Sequence, residues 1–435
     1  MSHIVFISVF LGLVSGMQPV ELHVDESVKT VRLLLDGKEL AVLHQAPWRV
    51  NADFGPVLEP RELVAVAYDD RDHEIDRISQ ILNLPHPSAE VQIALQKDHG
   101  LPSAVELIAK HLQFRKPTTA TIHLDGSPLK VHELTAHLPA LDWTRSHVIS
   151  AEVHFDDGAI ARSETVINGG FSDSTGTQLS AVIVTGHLDK KENLDRCFTA
   201  DGVALHVAAI EKTNALVIFV KEPDPQQWTS IDLIERQARL SALARAALAR
   251  DTSLDRDTTE RIVWPLAQQY SSATEGTSIL FEHSNDLDSG KTTVFGVLRT
   301  PMWVTPSPDR PRQFADAVAV AGLQTLMPAR RRAVVLIASQ VPNQSVHSVA
   351  QVRHYLESIQ VPLFVWSPTS HPPDAAEAWG KMEDVSHLDG LREAAMRLRR
   401  AIEDQQIAWV AADPLTALRA RANPACGLTV LVPAK

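Results

Sequence analysis

From residue 20 to residue 85 the apolar positions come in short β-branched runs, each cut by a turn signal. Val31-Arg-Leu-Leu-Leu runs into Asp36-Gly37, a dipeptide that favours a two-residue hairpin turn because both positions need positive φ. Leu63-Val-Ala-Val-Ala-Tyr68 is a second strand pattern, and it meets the acidic pair Asp69-Asp70. Both signatures come back downstream. Thr121-Ile-His-Leu124 runs into Asp125-Gly126, and Val148-Ile-Ser-Ala-Glu-Val-His-Phe155 runs into Asp156-Asp157-Gly158. The first signature returns after 89 residues and the second after 87. Two signals sharing one spacing predict a duplicated β-sandwich, with residues 20–85 and 90–168 superposable and the two Asp-Gly turns equivalent.

Beyond Gly169-Gly170 the period changes. Residues 179–185 read as a strand, and another Asp-Gly follows at Asp201-Gly202. Ala215–Val220 is a continuous apolar run, the mark of a strand buried on both faces of a parallel sheet. Residues 231–249, rich in Ala and Leu, predict a helix with Thr229 or Ser230 as its N-cap. Residues 314–326 predict another helix, stopped by Pro328, and residues 333–338 a second buried strand. Val349, Val352, Leu356 and Ile359 step by three and four, as on one face of a helix, and so do Leu388, Leu391, Ala395, Leu398 and Ile402. Residues 361–366, 407–412 and 427–432 complete the strands. The alternation predicts a doubly wound, mainly parallel α/β sheet, whose ligands bind outside the carboxyl ends of its strands. The chain thus divides into residues 1–86 and 87–170, two β-sandwiches, and 171–435, the α/β domain.

Composition narrows the function. With 435 residues, 44% hydrophobic and 22% charged, the chain is an ordinary multidomain folded protein. A net charge of −12 opposes nucleic acid or an anionic membrane as the main partner. No apolar run is long enough to span a bilayer as a helix. The opening run, Ile4 to Val14, reads either as the first strand of the sandwich or as a signal peptide leaving at Val14-Ser-Gly16; the n-region holds His3 but no Lys or Arg, which favours the strand. Cys197 and Cys426 exclude a zinc ribbon, an iron–sulfur cluster and a disulfide framework. Two unpaired cysteines are the expectation, with a single bridge the alternative. The 19 histidines form no H-x-H or H-E-x-x-H pair in the first half, where His23, His44, His123 and His132 sit singly in strands and turns.

The order of elements resembles the bacterial VWFA-related domain proteins, relatives of the von Willebrand factor A domain. Phe198-Thr-Ala-Asp201-Gly202-Val-Ala-Leu is similar to that family's F-x-V-x-E-D-G-V segment, and Ala215–Val220 to its first strand. Phe314-Ala-Asp316-Ala317-Val with Arg331-Arg332-Ala-Val-Val-Leu-Ile337 resembles its helix and central strand. Residues 398–412, with Gln406-Ile-Ala-Trp409-Val-Ala, resemble its closing helix and Q-Y-x-L-x-Y strand. The resemblance implies immunoglobulin-like β modules before a VWA-like (Rossmann-like) domain, an extracytoplasmic location (periplasmic or secreted), and a metal-ion-dependent adhesion site.

That site requires D-x-S-x-S after the first strand, a Thr in a second loop and an Asp after the central strand, because a hard Mg²⁺ takes oxygen ligands. Here the first strand leads into Lys221-Glu222-Pro223-Asp224-Pro225, the Thr position is Arg312, and the central strand ends in Ser339-Gln340. The expectation is a degenerate site with no metal and no cofactor. Other imitations also fail. Asp173-Ser-Thr175-Gly-Thr177 reads as a solvated linker, Asn285-Asp286-Leu-Asp288-Ser-Gly290 as a hairpin tip without the bidentate Glu of a calcium loop, and Ser289-Gly290-Lys291-Thr292 as a P-loop ending without its first Gly. The reading is a non-enzymatic protein-interaction or adhesion module. Its partner-binding rim is Lys221, Glu222, Asp224, Ser339, Gln340, Ser367 and His371, on loops stiffened by Pro223, Pro225, Pro342 and Pro368. A scaffold role is the alternative, and an enzyme with an unrecognised site around Glu222, Asp224, Ser339 and His371 a third. Exposed Trp-bearing loops at Trp303 and Trp379 would favour the first.

Overall fold

The computed structural model describes residues 3–8, 10, 12–85, 89–98, 101–111, 115–141, 147–156, 160–168, 171–175, 179–186, 194–223, 240–267, 281–288, 293–300, 302, 310–326, 329–338, 341–369 and 378–431. Residues 1–85 and 180–435 make one compact unit, and residues 86–179 a second.

The first unit opens with a β-sandwich. One sheet holds Ile4–Phe6, Met17–Val24 and Arg49–Asp53; the other is ordered Lys38–Leu43, Thr30–Leu35, Arg61–Tyr68, Glu74–Leu82. Val31, Leu33 and Leu35 point inward from alternate positions, as a half-buried strand requires. Asp36 and Gly37 take φ of 49° and 76°, the left-handed pair of a tight hairpin. Within the opening run Ile4–Phe6 is a strand: Ile4 pairs with Val24 and is fully buried.

The second unit repeats this plan. One sheet contains Ala89–Asp98, Leu101–His111, Thr135–His137 and Val131–His132. The other is ordered Ser127–Pro128, Pro117–Leu124, His147–Phe155, Ile160–Asn168, Phe171–Thr175. Asp125 and Gly126 take φ of 50° and 78°, matching the earlier turn. Leu35 faces Leu63 in the first unit as Leu124 faces Ile149 in the second. The turn carboxylates are also used alike: Asp36 accepts from Arg61 Nε at 2.7 Å, and Asp125 pairs with His147 Nδ1 at 2.7 Å. The duplication is therefore one of topology, register and side-chain role. Phe171–Thr175, expected as linker, is instead an edge strand against Ile160–Asn168.

Within the first unit lies a mixed, mostly parallel sheet. Its strands are β1 (Ala215–Val220), β2 (Thr258–Ala267), β3 (Phe281–His283), β4 (Arg331–Ile337), β5 (Leu363–Ser367) and β6 (Met382–Asp384). The spatial order is β3-β2-β1-β4-β5-β6, with β3 antiparallel and the short Leu287–Asp288 also pairing β2. This is a doubly wound order whose switch point falls between β1 and β4. Every residue of β1 and β4 is buried, because helices cover both faces. On one face pack α3 (Phe314–Gln324) and α4 (Val349–Ser358). On the other pack α2 (Val294–Arg299) and α5 (Leu388–Glu403), with α1 (Ala242–Asp251) beside α5. Of the predicted helix 231–249, residues 231–239, with the expected caps Thr229 and Ser230, lie outside the described residues, and residues 242–249 lie in α1, whose N-cap is Ser241.

Three predicted strands belong elsewhere. Leu179–Gly186, Gln405–Ala411 and Leu428–Val430 join Val207–Glu211 in a separate sheet, and Phe198–Ala200, Val203–Ala204 and Arg421–Ala422 form a small companion. Short apolar runs identify a strand but not its partners, which are fixed by long-range pairing. The two sheets share a core that includes Val182, Phe198, Val207, Val410 and Leu428. This β-module is discontinuous: the chain leaves it after Glu211, builds the α/β part, and returns at Gln405. Cys197 and Cys426 are bonded across the discontinuity, 229 residues apart, with Cα atoms at 5.7 Å. The expectation of two unpaired cysteines is therefore corrected. Their sequence distance concealed that both halves of one module carry a cysteine.

The N-terminal sandwich is locked onto α4. Tyr355 Oη donates to the Asn83 carbonyl at 2.9 Å, Gln351 Nε2 donates to Pro56 O, and Leu58 and Leu84 enter the same core as α3 and α4.

Candidate functional site

At the carboxyl end of β1 the chain turns inward. Lys221 is 1% exposed, and its ammonium donates to the carbonyls of Val297 (3.1 Å), Leu298 (2.7 Å) and Thr300 (2.7 Å). Those carbonyls end α2, where a helix has unpaired acceptors and partial negative charge. Burial pulls the Lys221 pKa down to about 7. Three carbonyl acceptors at one nitrogen oppose that pull, since only the ammonium can satisfy all of them. Lys221→Met should therefore destabilise the protein by about 2–3 kcal/mol in urea unfolding, by leaving α2 without its cap. A change below 0.5 kcal/mol (roughly the noise of surface substitutions) would refute that role.

Glu222, fully buried, faces Arg312, 6% exposed. Arg312 Nε donates to both carboxylate oxygens, at 3.0 and 3.1 Å, and its Nη1 donates to Arg310 O at 2.6 Å. The guanidinium thus neutralises the carboxylate that follows the first strand. Arg312 in turn begins a clamp. Its carbonyl accepts from Gln344 N at 2.7 Å, tying the loop after β4 to the start of α3. Gln313, the N-cap of α3, makes no side-chain cap bond. The loop supplies caps instead: Asn343 Oδ1 accepts from Ala315 N (3.2 Å) and Ser345 Oγ from Asp316 N (3.1 Å). Asp316, 1% exposed, returns the contact by accepting from Val346 N (2.8 Å), His347 N (3.1 Å) and His347 Nδ1 (2.8 Å). Immediately after it, Ser348 and Gln351 form a capping box that starts α4. Val346 is held at the surface of this rigid loop, 77% exposed.

The described members of the predicted rim do not lie at a surface. Lys221, Glu222 and Ser367 are buried and spent on internal partners, Ser367 Oγ donating to Thr369 O at 2.6 Å. They cannot touch a partner, because groups that end buried strands here are drawn in to satisfy helix and loop ends. Asp224, Ser339, Gln340 and His371 lie outside the described residues. Trp379, whose exposure would have favoured an interaction module over a scaffold, is buried in the core of α3 and α4, and Trp303 is outside the described residues. The clamp of Asn343, Ser345, Asp316 and His347 was not foreseen; the Ser348-x-x-Gln351 box was its only local sequence signal.

No protein-family model matches this chain, and no curated protein matches it. Among solved structures it is similar to the fibronectin(III)-like modules of Clostridium thermocellum CbhA, at 15% identity over 38% of this chain and 93% of that one, with a TM-score of 0.16. It is also similar to the central fibronectin-III array of RIM-binding protein, at 10% identity over 47% and 84%, with a TM-score of 0.23. Proximal thread matrix protein 1 from the mussel byssus aligns at 13% identity over 49% and 50%, with a TM-score of 0.29. At such scores these likenesses carry no weight for fold or activity.

The described residues do not fit a divalent cation. An ion after β1 would find Glu222 already paired with Arg312, and the ammonium of Lys221 next to it in the chain. A hard cation needs several free oxygens, not a neutralised carboxylate. Among the described residues no group of three or more His, Cys, Asp or Glu is gathered for a metal.

Proposed function

We propose that this chain is a non-enzymatic protein-interaction module, in which a VWA-like α/β domain binds a protein partner without a metal ion. The observation that carries this reading is the buried Glu222–Arg312 pair, continued by the Arg312–Gln344 bond into the loop that exposes Val346. The guanidinium supplies inside the fold the positive charge that a bound ion would bring, and the loop is held in one conformation before any partner arrives. A preorganised loop loses little entropy on docking. The disulfide supports an extracytoplasmic location, since such bonds persist where thiols are oxidised.

Two measurements test this. Calorimetry should find no specific Mg²⁺ or Mn²⁺ binding; sub-millimolar affinity that disappears with Glu222→Ala would sink the metal-free reading. The full chain, used as bait in an extract of its native source, should retain a partner equally with and without chelator. Val346→Lys should abolish that retention while the melting temperature stays unchanged. Equal retention by variant and parent would move the interface away from the loop. A scaffold role is the reading favoured if no partner is retained, because the sandwich locked onto α4 and the discontinuous β-module are both devices for rigidity.

A further inference from the structure

We propose that Cys197–Cys426 is a redox-sensitive clasp, whose reduction by a dithiol loosens the discontinuous β-module while the α/β sheet stays folded. The argument rests on where the bond lies. The segment carrying Cys426 grips the module through Arg421–Ala422, which among the described residues pairs with Phe198–Thr199 alone, and Leu428–Val430, which pairs with Val184–Gly186. Around the bond itself, Asn423 N donates to Cys197 O at 2.8 Å and Leu431 N to Ile183 O at 2.9 Å. Strands of two and three residues are weak on their own. The α/β sheet, by contrast, is stitched by five- to ten-residue strands at its centre and has two separate cores.

Access to the sulfurs is unequal. Cys197 is 3% exposed, whereas Cys426 is only partly buried. A dithiol thiolate therefore attacks Cys426 Sγ. The Cys197–Cys426 bond breaks, Cys197 leaves as a thiolate and takes up a proton, and a mixed disulfide forms on Cys426. The second thiol of the reductant then attacks that mixed disulfide, releases the Cys426 thiolate, and leaves as a cyclic disulfide; two electrons have passed to the protein. Nothing in the α/β cores takes part.

Hydrogen exchange on the full chain, oxidised and after treatment with dithiothreitol, tests this. At least tenfold faster exchange is expected in Leu179–Gly186, Phe198–Ala200 and Leu428–Val430 after reduction, with β1 and β4 unchanged. The double variant Cys197→Ser/Cys426→Ser should exchange like the reduced protein and ignore the reductant. Unchanged exchange in the module, or equal acceleration in β1 and β4, would overturn the clasp: the bond would then be passive, or its loss global. Two free thiols in protein isolated under oxidising conditions would overturn it as well.

Discussion

Arg312→Met should lower the stability of the α/β part by about 3–5 kcal/mol, because it leaves the Glu222 carboxylate buried without its counter-charge. The cost is that of an orphaned ion, not the net value of the pair, so the double variant Arg312→Met/Glu222→Gln should recover most of it. Urea unfolding of the single and double variants gives the comparison. A single-variant loss under 1 kcal/mol (about the size of an exposed ion pair) would mean that water reaches Glu222 and that the pair is not the internal cation site described above.

Glu260→Gln should change how stability depends on pH. Glu260 on β2 is fully buried, and among the described residues neither carboxyl oxygen has a hydrogen-bond partner. Burial, helped by the negative charge of Asp288, pushes its pKa up from 4.5 to about 7. A raised acid pKa means the folded state prefers the protonated form, so its contribution is intact below about pH 4.5 and is lost as pH rises through 7. The shift corresponds to about 3 kcal/mol once both states are ionised. An amide resembles the protonated carboxyl in shape and cannot ionise. Relative to the parent, the variant should therefore gain about 3 kcal/mol between pH 5 and pH 9, measured by urea unfolding at each pH. Parallel pH curves for the two proteins would place the ionised Glu260 in contact with water or a cation.

Much of this fold is legible in the sequence wherever the signal is local. Asp36-Gly37 and Asp125-Gly126 need positive φ, so their turns are written in the dipeptides and the duplication follows from their spacing. The apolar run Ala215–Val220 and the 3-4 steps of α4 and α5 likewise carry their own burial. What stays hidden depends on distant partners. Gln405–Ala411 looks like one more strand of the parallel sheet until it pairs antiparallel with Val207–Glu211. Lys221 looks like a surface charge until α2, more than 70 residues later, ends on its ammonium. Arg312 is visible as a departure from a metal motif, but nothing in the sequence says that its guanidinium meets Glu222.

The lock between the N-terminal sandwich and α4 sets an order of events during synthesis. Asn83 and Tyr355 are 272 residues apart, so the ribosome works for roughly 14–54 s at about 5–20 residues per second between making one and making the other. Until α3 and α4 have been made, Leu58 and Leu84 lack the helices that share their core. The sandwich emerges early with an apolar patch open to the solvent, and the discontinuous β-module waits in the same way for its second half. Slowing translation between residues 85 and 355 thus prolongs the time for which this apolar patch stays uncovered.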